Sequence, residues 1–134
     1  MSRPRQARPI PALRGYYAPR GEYNRTATTE ELLQRIPLAG YRHHDAPKLW
    51  RILKRGQAVS VERERLNPHD PKAVAVRWLD HQLGYLPREQ NRLAADLLDR
   101  NEPLLARIID KRDSDDPRAR LELALYRRRP ARTA

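Results

Sequence analysis

The chain has 134 residues, 39% of them hydrophobic and 34% charged, which suits one modest core with extra polar segments. It has no Cys, so a disulfide scaffold, a thiolate zinc site and a cysteine nucleophile are all excluded. The net charge of +11 sits at the ends: residues 1–27 hold six Arg against Glu22, residues 117–134 six Arg against Glu122, and residues 28–116 are almost neutral.

Basic ends of this kind attract phosphate backbones without reading sequence, in a salt-dependent way; solvated basic arms on an ordinary domain give the same charge pattern. Residues 1–27 lack hydrophobic periodicity and contain four Pro and two Gly, so they read as a disordered basic arm. Tyr16, Tyr17 and Tyr23 stand among its arginines and are candidates for stacking on bases. Pro4, Pro9 and Pro11 interrupt any amphipathic transit helix, and no apolar run reaches membrane-spanning length. The expectation is a soluble protein of the cytoplasm, nucleoid-associated if bacterial.

The folded domain is expected over 28–128, followed by a basic tail at 129–134. TATTEELLQRI predicts a short helix, capped by Thr28 or Thr29, with Glu30 and Glu31 at its positive end and Pro37 stopping it. PLAGYRHH predicts a strand entering a loop. APKLWRILKRG predicts a short helix with Leu49, Trp50, Ile52 and Leu53 inward and Gly56 as its end. QAVSVERERL then alternates through Val59 and Val61, and KAVAVRWL through Val74, Val76 and Trp78. DHQLGYLP holds a turn and another short strand. REQNRLAADLLDRN predicts a helix with Leu93, Ala94, Leu97 and Leu98 inward. LLARIIDKR and ARLELALYRR predict two last strands. The pattern implies a mainly β (α+β) fold: a small barrel of about six strands with two or three short helices.

Three segments carry candidate chemistry. In NPHDP, Asn67 and Asp70 suit loop backbone hydrogen bonds, and Pro68 and Pro71 part the flanking strands; local chemistry alone favours a well-capped turn and nothing more. In LGYLPRE, Tyr85 reads as core or as a contact. Arg88, unfavourable at a helix start, hints at an anion shared with the helix amides. GYRHH, with His43, His44 and Asp45, raises a metal site together with His69 and Asp70, but adjacent His on a strand point to opposite faces. No cofactor is expected: no HExxH helix, nucleophile elbow or Gly-rich phosphate loop is present.

In order, GYRHH, a helix, ERERLNPHDPKAVAV, and LGYLPRE before a Leu-rich helix, the chain resembles the HIRAN domain over roughly residues 37–127. That family occurs in DNA translocases and as short stand-alone bacterial proteins. The resemblance implies an OB-like β-barrel flanked by helices, whose groove takes the last nucleotides of single-stranded DNA at a free 3′ end, with no catalysis. It implies that Arg42 and His43 begin the pocket, His43 standing where the family has Tyr. It implies that Asn67 and His69 contact the terminal base, His69 again replacing an aromatic residue, and that Asp70 meets the 3′ hydroxyl. Tyr85 and Arg88 match positions that contact the phosphate backbone. The implied role is in DNA repair, or in targeting a partner helicase or nuclease. Two other readings use the same residues: a protein-interaction adaptor with only non-specific nucleic-acid affinity, and a metal-dependent nuclease built on His43, His69 and Asp70.

Overall fold

The computed structural model describes residues 28–130. The N-terminal arm with its three tyrosines, and residues 131–134 of the tail, lie outside the described residues. Glu30–Arg128 form one compact unit.

Six strands make one sheet: β1 (Thr28–Pro37), β2 (Ala58–Arg63), β3 (Val74–Trp78), β4 (His81–Tyr85), β5 (Leu104–Lys111) and β6 (Leu121–Pro130). Their order across the sheet is β1-β6-β5-β2-β3-β4. The β2–β3, β2–β5, β3–β4 and β5–β6 pairs are antiparallel. The sheet does not close, but its two ends meet just beyond β1: Ala39 N donates to Tyr85 O at 2.8 Å and Tyr85 N to Ala39 O at 2.9 Å. This bridge curls the sheet into the expected OB-like form. Two α-helices flank it, α1 (Ala46–Leu49) and α2 (Arg92–Asp99), with 3₁₀ turns at Tyr41–His43, Arg88–Gln90 and Pro117–Ala119. No helix among the described residues is long and apolar enough to cross a membrane.

The alternation in β2 behaves as the sequence predicts, with Val59 and Val61 buried and Ser60 and Glu62 exposed. Val74, Val76, Leu83, Ile108, Leu123 and Leu125 are each wholly buried in the same cluster. Each such side chain contributes about 1.5–3 kcal/mol relative to exposure. Ala75 and Ala124, on the opposite faces of their strands, are buried too, so this sheet is covered more fully than simple alternation implies.

Three local expectations are corrected. Residues 28–37 form a strand, not a capped helix. Glu30 and Glu31, which look like charges at a helix start, pair with Arg107 of β5 at 2.6 Å and Arg127 of β6 at 3.1 Å. Ile36 and Leu38 alternate into the core around Pro37. Strand partners distant in sequence override the local preference. GYRHH is not a strand either, since Tyr41–His43 is a 3₁₀ turn entered through Gly40 at φ 75°. The helix expected over 46–56 stops at Leu49. Lys111 of β5 takes over the next carbonyls, its Nζ donating to Trp50 O at 2.5 Å and Leu53 O at 3.0 Å. Leu53 is therefore buried, whereas Ile52 turns out to solvent.

Candidate nucleic-acid interface

The loop between β2 and β3 is built by its own side chains. Asn67 Oδ1 accepts from His69 N at 2.8 Å and Asp70 N at 3.2 Å, and Asp70 Oδ1 accepts from Lys72 N at 2.9 Å. The predicted turn chemistry is therefore present, with Pro68, His69 and Pro71 exposed along its crest.

Helix α2 and the residue before it fasten this loop to the sheet at three points. Asn91 Nδ2 donates to Asp70 Oδ2 at 2.8 Å, Asp96 pairs with Lys72 at 2.8 Å, and Asp99 pairs with Arg63 at 2.9 Å and Arg65 at 3.0 Å. The carboxyls of Asp96 and Asp99 lie below their ordinary range, chiefly through the hydrogen bonds from Lys72 and Arg63 respectively. A loop held this way loses little further entropy when a ligand docks.

On its other side the loop meets β4. The Tyr85 hydroxyl donates to Glu64 Oε1 at 2.7 Å, Asn67 Nδ2 donates to the same oxygen at 3.1 Å, and Asn67 Nδ2 lies 3.5 Å from the hydroxyl. The His44 ring stands edge-on to Tyr85, centroids 5.4 Å apart. The Tyr85 pKa is raised: a hydrogen bond with Gln82 favours the phenolate, but donation to Glu64, burial and the Glu64 charge together outweigh it. Glu64, Arg65, Leu66, Asn67, Pro68 and Tyr85 line an open cleft of about 570 Å³.

Of the residues singled out from sequence, Asn67 and Tyr85 meet directly, and Asp70 lies on the same loop. Arg42 and His43 are exposed on the turn that the Ala39–Tyr85 bridge holds beside β4. Arg88 is exposed on the 3₁₀ turn that precedes α2, rather than opening the helix itself. Neither Arg42 nor Arg88 makes an ion pair with any described residue, Asp70 included. Their guanidinium groups are therefore available to an incoming anion.

Three residues of this region were not singled out as binding residues from sequence. Glu64 lies within ERERLNPHDPKAVAV and Asn91 within REQNRLAADLLDRN, and the sequence alone gave neither a role. His44 was weighed only as a metal ligand. No group of three or more metal-ligating side chains occurs among the described residues. Three of the five candidate ligands have other partners: His44 faces Tyr85, Asp45 pairs with His81 at 3.1 Å, and Asp70 holds Asn91.

The HIRAN domain family profile matches residues 32–127. A crystal structure of a protein from Lactobacillus plantarum is similar at 31% identity and a TM-score of 0.67, over 76% of this chain and 98% of that one. The crystal structure of the HIRAN domain of human HLTF shares the fold at 17% identity and a TM-score of 0.59, over 75% of this chain and 78% of that one. No curated protein matches. With the profile spanning the whole sheet from β1 into β6, the chain belongs to the HIRAN domain family.

Proposed function

We propose that the chain binds single-stranded DNA at a free 3′ hydroxyl end, and that it acts by binding alone. Membership of the HIRAN family supports nucleic-acid binding. The observation that carries the finer reading is the Asn67–Asp70 loop, fixed to Tyr85 on one side and to Asn91 on the other, with exposed, unpaired Arg42 and Arg88 on the neighbouring turns.

In this reading the terminal base enters the cleft between Asn67 and Tyr85, and His43 and His69 offer imidazole faces at its edges. Arg42 and Arg88 hold the preceding phosphates. Asp70 receives the terminal hydroxyl. Each of its oxygens already accepts one hydrogen bond, from Lys72 N or from Asn91, and a carboxylate oxygen has room for a second. A 3′ phosphate would set like charges together at Asp70 and be rejected. A charge-assisted hydrogen bond contributes on the order of 1.5–3 kcal/mol, about one or two decades in affinity. The role that fits is end targeting in DNA repair, for a partner helicase or nuclease.

Fluorescence anisotropy with oligonucleotides ending in 3′ hydroxyl, 3′ phosphate or a blocked terminus tests this. Preference for the hydroxyl is expected, and equal affinities would leave only charge-driven binding. Labelled strands incubated with magnesium, manganese or zinc are expected to stay intact. Cleavage lost in Asp70→Ala would restore the nuclease reading.

A second reading, an adaptor that docks another protein, draws on Leu66, which is 96% exposed at the cleft rim. Nucleic-acid affinity that vanishes near physiological salt would favour it.

A further inference from the structure

Glu62, Arg63, Glu64 and Arg65 follow one another from the end of β2 into the loop. Three of them have an opposite charge: Glu62 faces Arg77 at 3.7 Å, while Arg63 and Arg65 reach Asp99 at 2.9 Å and 3.0 Å. Glu64 has no cationic partner among the described residues. Its Oε1 accepts from the Tyr85 hydroxyl and from Asn67 Nδ2, and its Oε2 takes no hydrogen bond from any described residue. The free oxygen of this half-buried carboxylate, on the wall of an open cleft, is an acceptor that a ligand's donor can reach.

The chemistry of the wall narrows that ligand. The Glu64 carboxylate disfavours phosphate at its own wall of the cleft, and Arg65, the cation that also lines it, is already paired with Asp99 at 3.0 Å. The Tyr85 ring, Leu66 and Pro68 offer apolar surface to a flat group, and Glu64 offers an acceptor to its edge. A nucleobase has that form. Guanine presents two adjacent donors on its pairing edge, N1–H and the N2 amino group. Adenine and cytosine each present one amino donor beside a ring acceptor. Thymine presents only N3–H, flanked by two carbonyl oxygens that the carboxylate repels.

We propose that Glu64 reads the terminal base, its free oxygen accepting from the base's pairing edge, so that the site ranks 3′ ends with guanine first and thymine last. The inference rests on the cleft being the seat of a 3′-terminal nucleotide. Tyr85 and Asn67 give the reading its direction. Both donate to Oε1, so a Gln at this position would keep its carbonyl there and place its amino group where Oε2 stood. A donor would then face the base in place of an acceptor.

The test is anisotropy with four 3′-hydroxyl oligonucleotides differing only in the last base, each also made with a 3′ phosphate. It is run on the wild type, Glu64→Gln and Glu64→Asp, with thermal unfolding confirming that each variant folds. The wild type is expected to favour the guanine end over the thymine end by about tenfold, the worth of one well-placed hydrogen bond to a charged group. Glu64→Gln should invert the order, and Glu64→Asp, whose carboxylate sits one methylene back, should flatten it. Equal affinity for all four bases in the wild type, or an unchanged order in Glu64→Gln, overturns the inference. If hydroxyl ends still outbind phosphate ends in that case, end recognition stands without base reading. If neither preference appears, both fall.

Discussion

Asn91 donates its side-chain amide to Asp70 Oδ2 at 2.8 Å while only 2% exposed, which joins the candidate hydroxyl-binding acid to the segment that carries Arg88. Asn91 stands at the start of α2, yet its side chain does not cap that helix. It is a buried polar residue and one of the three points at which the loop is fastened.

Asn91→Ala is therefore expected to cost about 1–3 kcal/mol, because one oxygen of a half-buried carboxylate loses its hydrogen bond while the other keeps that from Lys72 N. Binding should lose its preference for 3′ hydroxyl over 3′ phosphate more than its overall affinity. Chemical denaturation and the anisotropy series check the two effects separately. An unchanged preference would detach Asp70 from end recognition.

Gly84 lies in β4 where the chain crosses the Ala39 segment. A Cβ there would run into the Ala39 carbonyl oxygen and stand 3.0 Å from Leu38 Cδ1. Gly84→Ala must push apart the bridge that curls the sheet, so a loss of about 1–3 kcal/mol is expected, as for overpacking in a core. The neighbouring Tyr85 would shift with it. Denaturant midpoints and affinity should fall together.

Arg42 and Arg88 are assigned to phosphates, which carry no base information. Arg42→Ala and Arg88→Ala should each weaken all oligonucleotides to a similar extent and reduce the salt slope of binding by about one. Titrations across a salt series measure it. Unchanged slopes in both variants would move the backbone elsewhere.

Stability should fall in acid. The Glu30 carboxyl is held below its ordinary value of 4.5, first by the hydrogen bond from Arg107 and also by the charges of Arg107 and Arg128, against an opposing effect of burial. A carboxyl depressed in the folded state stabilises fully above its unfolded value. That contribution is lost as pH falls from about 4.5 through the folded value. Asp96, Asp99 and Asp110 are displaced in the same direction. Denaturation midpoints measured downward from pH 5 should decline, and Glu30→Gln should make the decline shallower.

Leu79, at the β3–β4 turn, has φ 53° and is 68% exposed. A left-handed conformation costs an L-residue roughly 1–2 kcal/mol, and Gly adopts it freely. Leu79→Gly is expected to raise the melting temperature with no effect on binding.

Much of the sheet was legible in sequence because β2, β3 and β6 carry the period-two alternation of a strand, even where, as at Ala75 and Ala124, both faces are buried. β1 was not, since Thr, Glu and Leu at 28–33 suit a capped helix locally; its strand form comes from β6 and from Arg107 and Arg127, far along the chain. The loop was legible for the same local reason as the alternation: Asn67 and Asp70 bond to backbone within three residues.

The sequence by itself determined the turn chemistry of NPHDP, the alternating strands, the basic ends and the family, all of which depend on neighbours within a few residues or on a motif in order. Only the tertiary structure decided that Glu64 stands without a cation, that Asn91 holds Asp70, and that Arg42 and Arg88 remain unpaired. Which charges meet depends on strand pairing across dozens of residues. A run such as Glu-Arg-Glu-Arg carries no mark of which member will be left alone.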